Sequence, residues 1–161
     1  MEHHRSAMVR ALAGTILMCV LGVSSCHSGP SRTTHKRSSD MSSNAEKIAF
    51  LSRYLSAKSA IEAAEFIIDY QDNSGGGVPA PSDWDIQAAI KVQPQDTSLW
   101  AEGLDRVLSE DTDLSWGMRL LPQAAEWRIE SKPQIFVRHD ADVTVAIFEP
   151  EGIVLKRVRS R

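Results

Sequence analysis

The sequence predicts an α+β fold, an antiparallel sheet of about four strands with helices packed on one face. Three observations carry that expectation. "WDIQAAIKVQ" (84–93) alternates, with Trp84, Ile86, Ala88, Ile90 and Val92 on one face and Asp85, Gln87, Lys91 and Gln93 on the other, the period of a half-buried strand. "DTSLWAEGLDRVLSE" (96–110) changes to helical spacing, with Leu99, Trp100, Leu104, Val107 and Leu108 in one stripe. "DVTVAIFEPEGIVLKRV" (142–158) reads as a hairpin, with Pro150 second and Gly152 fourth in a type I turn.

The remaining elements follow in chain order. "SNAEKIAFLSRYL" opens on Ser43 with Glu46 three places on, a capping-box signature. Ile48, Leu51 and Leu55 then predict a helix over about 44–56. "AIEAAEFIIDYQD" (60–72) fits a strand with Ala64, Phe66, Ile68 and Tyr70 on one face, although helical spacing is also tolerable. Its β-branched and aromatic content and the following "DNSGGG" favour the strand. Asp96 is placed to cap the helix that starts there. A short helical turn is expected in "QAAEWRI" (123–129), and "QIFVR" (134–138) is a further strand or edge segment. One sheet face is expected to stay polar, as antiparallel sheets allow.

The amino terminus bears on location. "ALAGTILMCVLGV" (11–23) is apolar apart from Thr15 and follows Arg5 and Arg10, the pattern of a secretory signal. It is short of the roughly 20 apolar residues a membrane span takes. Met8 is an alternative start, because "MVRALAG" also supplies a basic residue before the apolar core. "VSSC" ends the segment, with Val23, the small Ser24 and Ser25, and then Cys26. These four residues resemble the lipobox of bacterial lipoproteins. The resemblance covers residues 1–26. It implies a signal peptide over 1–25, a diacylglyceryl group on the Cys26 thiol and, with further acyl chains such as palmitate, an anchor that holds without spanning. His27, not aspartate, follows the cysteine. By the sorting pattern of that family, the outer membrane is favoured over the inner, with the protein facing the periplasm. Cys19 leaves with the signal, so the mature chain has no intramolecular disulfide.

Residues 26–43 read as the lipidated cysteine and a flexible polar tether, and 44–161 as a single small domain. That domain has 13 Lys/Arg against 19 Asp/Glu, a net charge of −6, which argues against a nucleic-acid surface.

The loop "DNSGGGVPAPSDWD" (72–85) is the most unusual stretch. Its glycines free the backbone and Pro79 and Pro81 stiffen the return. Asp72, Asn73, Asp83 and Asp85 could meet a basic partner, while their spacing is not that of a calcium loop. Their simpler role is to bond the loop's own backbone. Trp116, in "TDLSWGM", is a binding anchor if exposed and a core residue if not. "DNSGG", "VPAPSDWDI" and "FEPEGIV" (72–76, 78–86 and 148–154) together are similar to a set of small bacterial proteins, a resemblance that implies no activity. No nucleophile motif, metal-ligand spacing or cofactor fingerprint stands out; His139 in "HDAD" fits a turn. The leading expectation is a non-enzymatic binding module anchored in the envelope, of immunity, inhibitor or assembly type, with a protein or envelope component as partner. The alternative is an envelope-directed hydrolase using carboxylates of the 72–85 loop.

Overall fold

The computed structural model describes residues 32–72, 82–108, 112–122, 124–138 and 140–160. The four-strand expectation is overturned, because one antiparallel sheet of seven strands organises these residues. The strands are β1 (Arg32–Arg37), β2 (Ala63–Asp72), β3 (Asp83–Lys91), β4 (Asp105–Val107), β5 (Gln134–Arg138), β6 (Val143–Phe148) and β7 (Ile153–Arg159). Their spatial order is β1-β2-β3-β7-β6-β5-β4. Two meanders therefore meet where β3 pairs with β7, Ile86 opposite Val158 and Ile90 opposite Val154.

Helices do not pack on one face alone. On the first face α1 (Asn44–Leu51) and a 3-10 helix, Pro94–Ala101, lie against the even-numbered residues of β2, β3 and β7 and the odd-numbered residues of β6. That core holds Leu51, Phe66, Ile68, Ile90, Trp100 and Val145, each almost fully buried. The second face was expected to be polar. It is covered instead by the β4–β5 connection, in which α2 (Ser115–Met118) brings Trp116 and a 3-10 turn, Ala125–Trp127, brings Trp127 over Ala89, Ala146, Phe148, Ile153 and Leu155. Gly117 makes the approach possible, since a Cβ there would stand 2.8 Å from Leu155 Cδ1.

The expected 96–110 helix is not formed. Pro94 opens a 3-10 helix, and the Thr97 hydroxyl donates to the Pro94 carbonyl at 2.8 Å. Asp96 does not cap it; its amide donates to the Gln93 carbonyl. Gly103 (φ +72°) then turns the chain into β4. The apolar stripe was a coincidence of two faces: Trp100 and Leu104 join the first core, Val107 the second, and Leu108 is 88% exposed.

The polar 26–43 stretch is not all tether. Residues 32–37 form β1 and pair with β2, Thr34 opposite Tyr70 and Arg37 opposite Ile67. Beyond Arg37 the rest of β2's edge is closed by side chains. The Phe66 amide donates to Ser38 Oγ (3.1 Å) and the Ala64 amide to Asn44 Oδ1 (3.3 Å), while Asn44 Nδ2 donates to the Glu62 carbonyl. Buried backbone donors need such partners. At the start of α1 the Glu46 amide donates to Ser43 Oγ, but the Glu46 carboxylate accepts from the amide and hydroxyl of Ser42 rather than from Ser43.

Candidate functional site

The carboxylates singled out from sequence lie at the sheet end where β2 and β3 approach the 73–81 stretch. Asp72 ends β2, and Asn73 and Cys26 lie outside the described residues. Asp83, Trp84 and Asp85 open β3, opposite Gln71, Tyr70 and Asp69. Alternation places Trp84 on the first face with Ile86 and Ala88, yet the residue is 36% exposed rather than buried as the pattern implies. The core stops short of it. The Trp84 carbonyl accepts from the Ser160 amide, and the Trp84 amide donates to Ser160 Oγ, so the end of the chain beyond β7 pins this edge. Two hollows reach Trp84. One, about 660 Å³, runs past Tyr70, Ala141 and Val158; the other, about 300 Å³, runs past Asp69, Asp83 and Asp85.

Asp85 is not available to a partner. Arg157 grips it through Nε to Oδ1 at 2.9 Å and Nη2 to Oδ2 at 2.7 Å, and Gln87 Nε2 donates to Oδ2 at 2.8 Å. Burial raises the Asp85 pKa, but these hydrogen bonds and the guanidinium charge outweigh it and hold the carboxyl below the usual range. Arg119 Nη2 donates to Gln87 Oε1 at 3.0 Å, and the Arg157 guanidinium lies 5.9 Å from the Trp116 ring centre. Trp116 is 4% exposed. Two residues picked from sequence, Asp85 and Trp116, are thus brought together through Arg157. They form the polar seam that closes the second core, and Trp116 is no exposed anchor. A carboxylate held ionised by a bidentate arginine is a poor general acid, which weighs against Asp85 in the hydrolase alternative. Asp83 Oδ1 accepts from Ser160 Oγ at 3.4 Å.

One group was missed altogether. Lys156 of β7 occupies an inward register on the first face, between Val145 of β6 and Ala88 of β3. Its ammonium is 5.6 Å from the Trp100 ring centre, at a hollow of about 220 Å³ that Lys58 and Arg138 also line. The signal was legible in "IVLKRV": alternation puts Lys156 in phase with Val154 and Val158, where a strand facing a core has apolar residues.

Among the described residues, no helix is long and apolar enough to cross a membrane, and no group of three or more His, Cys, Asp or Glu is arranged to hold a metal ion. No protein-family model, curated protein or solved structure matches the chain.

Proposed function

We propose that this chain is a non-enzymatic binding module of the bacterial cell envelope, anchored by lipid at Cys26 and facing the periplasm, with the outer membrane favoured. Its partner, a protein or envelope component, meets the sheet end around Trp84. The observation that supports this reading is the exposed indole itself. A large aromatic ring at a strand start, pinned by Ser160 on its backbone and flanked by Tyr70, Ala141 and Val158, is a rigid apolar anchor of the kind that dominates interfaces. Asp69 and Asp83, in the alternate register of the same sheet end, suit a basic rim on the partner, with His35 donating to Asp69 from β1.

The test has two arms. Metabolic palmitate labelling should disappear in Cys26→Ser; labelling that survives refutes the anchor. Cross-linking of the wild-type chain in envelope preparations should give a discrete adduct that Trp84→Ala reduces at least tenfold and Leu108→Ala leaves intact. Equal adduct yield from Trp84→Ala removes this edge as the binding surface.

A further inference from the structure

The row of residues that crosses the first face at Lys156 runs Phe136, Val145, Lys156, Ala88 and Phe66 from strand to strand. A lysine in such a row has a physical cost. Its stem packs on the apolar face, but its ammonium is drawn out of water, and a leucine or methionine would fill the place without that penalty. Trp100 offers partial compensation by presenting its ring face. That ring is fixed, being 1% exposed and donating its indole N–H to Ser59 Oγ at 3.0 Å.

The surrounding charges make the cost larger. The hollow is lined by Lys58, from the connection between α1 and β2, by Arg138, at the end of β5, and by a single carboxylate, Glu102. Among the described residues no carboxylate lies within ion-pair distance of Lys156. Burial, and then the nearby charges of Lys58 and Arg138, lower the Lys156 pKa from the ordinary lysine value. Arg138 is only partly engaged, with Nη2 donating to the Gly103 carbonyl at 3.3 Å and Nε 4.0 Å from Asp140. Three cations line a hollow of about 220 Å³ against one carboxylate in its lining, Glu102, so positive charge is in excess there.

We propose that the hollow between Lys156, Lys58 and Arg138 is a binding site for a compact oxyanion, the phosphate or carboxylate group of a small ligand. Lys156 supplies a point charge from the floor and Arg138 the planar donors that such oxygens favour. Lys58, exposed on its connection, lines the same hollow. Tyr54 and Leu104 line the same hollow and take the apolar remainder of the ligand. Glu102 at the rim opposes a second negative charge at that end, so the ligand carries its charge in one place. This site is separate from the proposed role of Trp84 and stands or falls without it.

The probes are inorganic phosphate and acetate, titrated into the full chain and followed through the Trp100 indole N–H resonance. Phosphate or acetate should shift that resonance saturably, with a dissociation constant in the order of millimolar. Lys156→Met, which keeps the stem and removes the charge, should weaken binding at least tenfold and raise the melting temperature of the ligand-free protein. Lys58→Ala should weaken binding several-fold, while Trp84→Ala and Lys36→Ala leave it unchanged. Vesicles of anionic phospholipid in zwitterionic lipid distinguish the source. Competition with free phosphate identifies a lipid headgroup, and its absence a soluble metabolite. No saturable shift with either anion, or a shift retained by a folded Lys156→Met, overturns the proposal.

Discussion

Gly152→Ala tests how the two halves of the sheet are joined. Gly152 closes the β6–β7 turn, its amide donating to the Glu149 carbonyl at 3.0 Å, and its φ is +63°. An alanine in that conformation costs about 1–2 kcal/mol. The larger effect is contact. The new Cβ would stand 2.3 Å from the Val92 carbonyl oxygen, roughly an ångström inside ordinary van der Waals distance. The turn must therefore swing away from the residue that follows β3. Doing so stretches the 2.9 Å bond from the Val92 amide to the Gly152 carbonyl, and Val92 is fully buried. An orphaned buried amide costs about 1–3 kcal/mol. Together these give a loss of roughly 3 kcal/mol, or about 10 °C in melting temperature for a domain of this size. Gly103→Ala provides the internal comparison. It has the same positive φ, but its Cβ would meet only the mobile tip of Arg138 at 3.3 Å, so its loss should stay near 1–2 kcal/mol. Urea unfolding of both variants measures the difference. If Gly152→Ala costs no more than Gly103→Ala, the close approach of turn and strand is not what the geometry implies.

Two further outcomes follow from the seam and the edge. Asp85→Asn removes the charge that Arg157 grips, and with both side chains about a quarter exposed the loss at neutral pH should be about 2 kcal/mol, between surface and buried values. Because the folded-state pKa of Asp85 is depressed, its stabilisation is complete above the unfolded value of about 4 and drains away as pH falls through the folded value. A pH series of melting temperatures should therefore show wild type and Asp85→Asn converging below about pH 4; parallel curves would contradict this. Removing the residues before 44 removes β1 and Ser38, leaving the buried Phe66 amide unpaired and the edge of β2 bare from Ile67 to Asp72. The shorter chain should be less stable by at least about 2 kcal/mol in urea unfolding and self-associate in size-exclusion chromatography. Identical melting and a monomeric profile would show that β1 adds nothing.

Local pattern carried part of this architecture. Alternation in 60–72 and 84–93 specified β2 and β3, because a strand against a core must keep apolar residues in phase. "EPEG" specified its turn through the residues' own backbone preferences: Gly152 takes the left-handed conformation and bonds back to Glu149. Ser43 specified the start of α1, since a cap is satisfied within a few residues of itself.

What lay beyond local pattern depended on partners distant in sequence. Residues 32–37 contain Thr, His, Lys and Arg and no apolar face, and they form a strand only because β2 offers an open edge. The 96–110 stripe reads as one helix because spacing does not say which of two cores a side chain enters. Asp85 looked free until Arg157, 72 positions away, was folded against it. Trp84 kept its predicted face and lost its predicted burial, because alternation fixes direction and only the packing of other elements decides depth. For Lys156 the order is reversed. Its place in an apolar register was readable from the sequence alone, but only the fold could set Lys58, Arg138 and Trp100 around it and turn an ill-placed lysine into a candidate site.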